Sequence, residues 1–259
     1  DAAAINAVPD GTFPVHPPEP TFETLNELRQ LVIDEEADFG VGFDGDGDRA
    51  VFVDDKGRMV SDTSVFLMLT EHYLTKQKGA PIVYEVSCSM SVEETIKACG
   101  GKPVLSRVGH TYIVDKMLKE KAAFGGETSG HFYFKDIYGF DDALYTSLKI
   151  AEVLSEKGRK LSEIVDLLPK YPRIPGKAYE CPDDRKFTVV EDLSKEFRSM
   201  GYETLTIDGV KVVTNEGWFL IRPSNTQPLV RLTVEAKTED TLQELADLAE
   251  RKIAQRIKA

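Results

Sequence analysis

The chain has 259 residues, long enough for a sizeable core and, by length alone, for two domains or three small ones. Hydrophobic residues make up 41% and charged residues 29%, a balance that excludes disordered and collagen-like chains. With 32 basic against 44 acidic residues the net charge is −12, a field that repels nucleic acid and anionic lipid but still permits a small phosphorylated ligand held by a few donors. No apolar run approaches the roughly 18–20 residues of a membrane span, and no secretory signal opens the chain. Cys88, Cys99 and Cys181 form neither a metal spacing nor an even disulfide framework, so a reducing cytoplasm is the expected compartment.

The opening Ala2-Ala3-Ala4-Ile5 reads as strand, followed by the turn Pro9-Asp10-Gly11 and a proline-rich stretch. Thr21 can cap a helix carried by Leu25, Leu28 and Leu31/Val32, but Thr24 stands where a capping box needs an acid or amide. Strands are expected at 39–43 and 50–53, joined by an acidic loop, with a hairpin-like turn at 54–57. An alternation then follows: helix 63–76, strand 82–86, helix 92–99, strand 103–107, helix 112–120, strand 122–124 and helix 143–157. Strands separated by helices of this length predict parallel βαβ units. Residues 169–176, with three prolines and a glycine, form the best linker. Beyond it come a helix, several strands with short turns and a terminal helix at 242–257, an α+β pattern. Trp218 falls in a strand and is expected in the core, and His16 and His72 are assigned surface or packing roles.

Three polar loops stand out. The first, Asp44-Gly45-Asp46-Gly47-Asp48-Arg49, places carboxylates at i, i+2 and i+4 between apolar strands. Such groups repel one another unless a cation sits among them, and oxygen ligands favour Mg²⁺ or Ca²⁺. An EF-hand is excluded, because its sixth and twelfth positions here hold Arg49 and Asp55 and strands flank the loop. Gly40-Val41-Gly42-Phe43-Asp44-Gly45 matches G-x-G-x-x-G, but a strand follows it and acids would face a pyrophosphate. The second loop, Gly125-Gly126-Glu127-Thr128-Ser129-Gly130-His131, offers a carboxylate, hydroxyls and an imidazole suited to a vicinal diol. The third, Arg222-Pro223-Ser224-Asn225-Thr226-Gln227-Pro228, with Arg231 beyond it, has the composition of an anion cradle. Plain polar turns remain the alternative for each loop taken alone.

In these motifs the chain resembles the C-terminal part of an α-D-phosphohexomutase, nearest the phosphomannomutase/phosphoglucomutase branch. The resemblance implies an α/β fold: mixed or parallel-sheet βαβ domains followed by a smaller α+β C-terminal domain. It implies three segments: part of a metal-binding domain at 1–58, a sugar-binding domain at 59–171 and a phosphate-binding domain at 172–259. It implies Mg²⁺ on Asp44, Asp46 and Asp48, with Arg49 by the reacting phosphoryl group. Glu127 and Ser129 match residues that hold sugar hydroxyls; His131 closes that loop, and His110 resembles a further cleft histidine. Arg222, Ser224, Asn225, Thr226 and Arg231 match the loop holding the non-reacting phosphate.

The activity implied is interconversion of 1- and 6-phosphosugars through a bisphosphate intermediate, using a phosphoserine in a T-x-S-H-N-P segment. No Ser-His-Asn-Pro occurs in this sequence, so the nucleophile, with the rest of an N-terminal part, is expected outside the chain. The chain alone is then expected to be inactive. Ser87 stands where bacterial relatives often carry a lysine, which leaves the general base unassigned. Ser224-Asn225-Thr226 and Phe140-Asp141-Asp142 favour a mannose or glucose phosphate over an amino sugar. The rival expectations are a non-catalytic sugar-phosphate or metal-binding module and a calcium-binding module.

Overall fold

A computed structural model describes residues 1–224 and 226–258. They divide into two units: residues 1–84, 94–104 and 109–168, and residues 85–93, 105–108 and 169–259.

The first unit opens with α1 (Asn26–Asp34) and an antiparallel sheet of β1 (Phe39–Phe43), β2 (Ala50–Asp54) and β3 (Met59–Val60). Antiparallel pairing here follows from the short loops at 44–49 and 55–58, the second at the expected hairpin-like turn, which return the chain as hairpins. Ala2–Ile5 forms no strand; residues 1–25 hold no helix or strand at all. Reciprocal bonds do prepare α1: Thr21 N–H donates to Thr24 Oγ1 (2.7 Å) and Thr24 N–H to Thr21 Oγ1 (3.3 Å). A threonine hydroxyl thus does what the capping box assigns to an acid or amide. Gly40 and Gly42 are explained by packing, since a Cβ at either would collide with Leu25, Leu28 or Val32. The G-x-G-x-x-G match is therefore a helix–strand contact.

A mixed sheet follows, in the order β5 (Lys102–Ser106), β4 (Pro81–Glu85), β6 (Phe124–Gly126), β7 (Phe132–Phe134) and β8 (Phe140–Asp141). β4 and β6 are parallel, whereas β6, β7 and β8 run antiparallel. The last two strands are not anticipated by the helix–strand alternation, and β6 begins two residues later than expected. Helices α2 (Asp62–Lys76), α3 (Met90–Ala98), α4 (His110–Glu120), α5 (Ala143–Lys157) and the short α6 (Leu161–Val165) complete the alternation. Ser61 caps α2 and Asp142 caps α5 through backbone N–H groups. Phe66, Tyr73, Phe124, Phe132 and Phe134 form the aromatic centre of the core, with edge and stacked contacts at 5.3–6.2 Å. His72 has the packing role assigned to it: buried on α2, its Nδ1 lies 3.1 Å from Glu156 on α5.

In the second unit, β10 (Glu203–Leu205), β11 (Val210–Val213), β12 (Gly217–Pro223), β13 (Leu229–Ala236) and β9 (Arg173–Glu180) form one antiparallel sheet in that order. The expected linker is half strand, because β9 begins at Arg173 and pairs with β13 despite Pro175. Helices α7 (Lys186–Ser199) and α8 (Glu239–Lys258) pack on the sheet. Val189, Leu193, Phe197, Phe219, Ile221, Leu232, Ala249 and Ile253 fill the space between them. Trp218 is 3% exposed and, with Leu220, packs against Val86 of the same unit.

Candidate functional site

The acidic loop turns on Asp44. Its Oδ1 accepts the backbone N–H groups of Gly47, Asp48 and Arg49, each at 3.1 Å, and its Oδ2 accepts Arg49 Nε at 2.7 Å. Gly47, at φ +78°, supplies the left-handed residue that folds these amides back onto one oxygen. Burial pushes the Asp44 carboxyl up, but the hydrogen bonds and charge of Arg49 outweigh it and bring the carboxyl down to about 2. Asp48 goes the other way: burial raises it, His131 pulls it down, and Asp44 and Asp46 add to the rise. Oxygens of Asp44, Asp46 and Asp48 lie within 4.8 Å of one another. An all-carboxylate donor set of this span fits a hard divalent cation.

Arg49 is gripped on both edges. While Nε serves Asp44, Nη1 and Nη2 donate to the two carboxylate oxygens of Glu19 at 2.5 and 2.9 Å. Glu19, from the proline-rich stretch, was not singled out by sequence, since nothing local ties it to a residue thirty positions on.

The hydroxyl-rich loop joins β6 to β7, with Gly126 opposite Phe132 and Glu127 N–H donating to His131 O. Its glycines are spatially required: a Cβ on Gly126 would press on Phe66 and Phe132, and Gly130 sits at φ +87°. The two loops are stitched together by backbone, through an antiparallel bridge between Arg49 and His131 and the bond from Ala50 N–H to Gly130 O. Side chains extend the link, with His131 Nε2 3.3 Å from Asp48 Oδ1 and Nδ1 2.7 Å from Ser129 Oγ. Thus Asp44, Asp46, Asp48, Arg49, Ser129 and His131 do come together.

Glu127 is 5% exposed, and both its oxygens are engaged: Oε1 accepts Gly109 N–H and Oε2 accepts the Tyr133 hydroxyl, each at 2.7 Å. A carboxylate retains further lone pairs, so this anchoring leaves capacity for a ligand hydroxyl. Burial, followed by the charge of Glu127, raises the Tyr133 hydroxyl far above its usual range and keeps it a donor. His110 opens α4 behind Gly109, its Nδ1 3.2 Å from Asp141 Oδ1 and its ring 5.4 Å from that of Tyr133. Asp48, His131 and Asp141 also have ligand atoms within 4.8 Å of one another, which brings His110 to the same locality.

The third loop lies in the second unit, at the β12–β13 hairpin. Arg222 and Arg231 are direct cross-strand partners. Ser224 N–H donates to Leu229 O, Ser224 Oγ accepts Gln227 N–H (3.3 Å), and Arg231 Nη2 donates to Gln227 Oε1 (2.8 Å). Thr226 is exposed, and Asn225 lies outside the described residues. Arg222 Nε is buried with Asp208 at 3.4 Å, but no hydrogen bond satisfies it. An orphaned guanidinium N–H and a second arginine on one hairpin fit an anion. Gly209, at φ +83°, lets the Asp208 turn lie against the Ile221–Arg222 backbone, where any Cβ would collide. Ser87 is held by Glu85, its hydroxyl 2.6 Å from Oε1.

Sequence profiles of one family match nearly the whole chain in three pieces. Phosphoglucomutase/phosphomannomutase alpha/beta/alpha domain II matches residues 1–57, alpha/beta/alpha domain III matches 62–171, and the C-terminal domain matches 178–252. The chain belongs to the phosphoglucomutase/phosphomannomutase family. It is 34% identical over 247 residues to a probable phosphoglucosamine mutase of Methanopyrus kandleri, covering 95% of this chain and 54% of that protein. A phosphomannomutase/phosphoglucomutase of Pseudomonas syringae pv. tomato is 35% identical, with coverages of 91% and 51%. The crystal structure of a phosphoglucomutase/phosphomannomutase family protein from Burkholderia thailandensis superposes with a TM-score of 0.87 at 32% identity, over 95% of this chain and 53% of that one. The chain therefore spans about half the length of these relatives.

Within this family member, Glu19, Tyr133 and Asp141 join the motif residues of the first unit, and Asp208 joins those of the second. Asp141 has a faint sequence signal, since two aspartates follow the second loop. Tyr133 has none, because the unbroken aromatic run Phe132-Tyr133-Phe134 reads as core.

Proposed function

We propose that the chain is the C-terminal part of a Mg²⁺-dependent hexose-phosphate mutase of the cytoplasm, comprising part of a metal-binding domain, a sugar-binding domain and a phosphate-binding domain. One observation carries this reading: the convergent carboxylates of Asp44, Asp46 and Asp48 are joined through His131 to the loop bearing Ser129 and Glu127. Hexose phosphates are the substrate class, as the relatives' names indicate for those proteins. The preferred sugar stays open, because relatives of similar identity carry glucosamine, mannose and glucose names.

Mg²⁺ held by the three aspartates would act as a Lewis acid on the transferring phosphoryl group. Asp44, fixed by three amides and Arg49, keeps that cluster in register. Arg49 turns its Nη edge to the phosphoryl oxygens once Glu19 yields it, trading one fork-shaped acceptor for another. Ser129 and Glu127 orient sugar hydroxyls, and the backing from Gly109 and Tyr133 stops Glu127 from rotating away. His110 and His131, each beside an aspartate, can hold or pass a proton at a sugar oxygen. Arg222, Ser224, Asn225, Thr226 and Arg231 would hold the phosphate that is not reacting. The phosphoserine comes from a part of the protein outside this chain.

Titration calorimetry of the 259-residue chain with MgCl₂ tests the reading. Asp46 is exposed, so Asp46→Asn should leave the fold intact and remove most of the Mg²⁺ heat. Wild-type Mg²⁺ uptake in the variant, or none in the wild type, refutes the metal site. Turnover of hexose 1-phosphate by this chain without a phosphoserine partner would refute the division of labour.

A further inference from the structure

We propose that Lys186 is a positioning residue for the phosphate loop: a buried ammonium that fixes Gln227 and lends its charge to the anion site without touching the anion. The inference rests on reading the β12–β13 hairpin as a phosphate site. It adds to that reading a residue that lies outside the loop, at the start of α7.

Lys186 is 2% exposed. Lysine is seldom buried to this degree, because its stem can usually deliver the amine to water. Here the amine has two polar partners: Asp183 Oδ1 at 2.6 Å and the carbonyl oxygen of Gln227, to which it donates at 3.1 Å. Gln227 is the residue through which the loop is tied together. Its carbonyl also accepts Leu229 N–H at 2.8 Å, its own N–H donates to Ser224 Oγ, and its side-chain oxygen accepts Arg231. One residue, Gln227, therefore couples the ammonium to two of the groups that would hold phosphate. The bond from Cys181 N–H to Pro228 O pins the next residue.

Charge distribution supplies the second half of the argument. The Asp183 side chain is 74% exposed, so water screens its negative charge, whereas the ammonium beside it is desolvated. Unequal screening leaves a net positive field on the loop side. A neutral donor or an apolar filler would have satisfied packing alone at lower desolvation cost. The lysine is explained by an anion that benefits from its charge.

The test measures binding of glucose 6-phosphate to the 259-residue chain by calorimetry or NMR titration, with glucose as the uncharged comparator. Lys186→Met fills the same space without charge or donor. It should weaken glucose 6-phosphate about five- to tenfold and leave glucose unaffected, and the deficit should shrink in about 0.5 M salt. A packing role would give no salt dependence. Arg222→Ala reports on the phosphate loop itself: wild-type affinity in that variant overturns the loop reading and this proposal with it. Loss in Arg222→Ala with less than about a twofold change in Lys186→Met overturns the role of Lys186 alone. Should Lys186→Met not fold, Lys186→Gln decides, since it keeps a donor for the Gln227 carbonyl but removes the charge. A salt-sensitive loss of glucose 6-phosphate binding of about the same size then supports the proposal, and wild-type affinity overturns it.

Discussion

Replacing Asp44 by asparagine tests how the acidic loop is held when no cation is bound. The Asp44 carboxyl side chain is 1% exposed and accepts three amides and Arg49 Nε. Its carboxyl lies at about 2, against 3.8 when unperturbed. At about 1.4 kcal/mol per pH unit, that difference contributes roughly 2.5 kcal/mol to folding at neutral pH. Because the folded carboxyl titrates below the unfolded one, the contribution is complete above about pH 4. It falls to roughly half by about pH 3 and is lost as the pH drops through about 2. An asparagine oxygen can still accept amides, but it loses the charge that Arg49 answers. Asp44→Asn should therefore lower stability by about 2–3 kcal/mol at pH 7 and by about 1 kcal/mol at pH 3. Urea melts followed by far-UV circular dichroism in chelator, at both pH values, measure this. An equal loss at both pH values would refute the electrostatic account, and no loss at pH 7 would refute the hydrogen-bond account as well.

Arg222→Ala should weaken hexose-phosphate binding by about 2–3 kcal/mol, the scale of a charge-assisted contact, with glucose binding unchanged in the same calorimetric titration. Tyr133→Phe leaves one oxygen of the buried Glu127 without its hydroxyl donor, so it should lower thermal stability by about 1–2 kcal/mol without altering Mg²⁺ uptake. Lys211 lies 3.8 Å above the Trp218 ring, and burial brings its amine down to about 8. The unfolded chain thus binds the extra proton between about pH 8 and 10.5, and the second unit should gain stability as pH rises through that window. Urea melts followed by Trp218 fluorescence should show the rise in the wild type and its loss in Lys211→Met; a pH-independent midpoint in the wild type would refute it.

Local pattern alone determined most helices, the strands 39–43 and 50–53, and the three polar loops. Helix stripes, β-branched runs and glycine-spaced polar residues act over a few neighbouring positions, where chain connectivity keeps them together. Carboxylates at 44, 46 and 48 alternate with glycines between apolar strands, so a candidate cation site is already legible. Tertiary structure alone decided which distant groups complete them. Glu19 reaches Arg49, Tyr133 and Gly109 reach Glu127, Asp208 reaches Arg222, and Lys186 reaches Gln227. The antiparallel return of β7 and β8 was likewise hidden, because Phe132, Tyr133 and Phe134 read only as apolar sequence and are all fully buried. The physical reason is common to these cases: a hydrogen bond or ion pair depends on a separation of about three to four ångströms, and sequence spacing carries that information only within a turn or a hairpin.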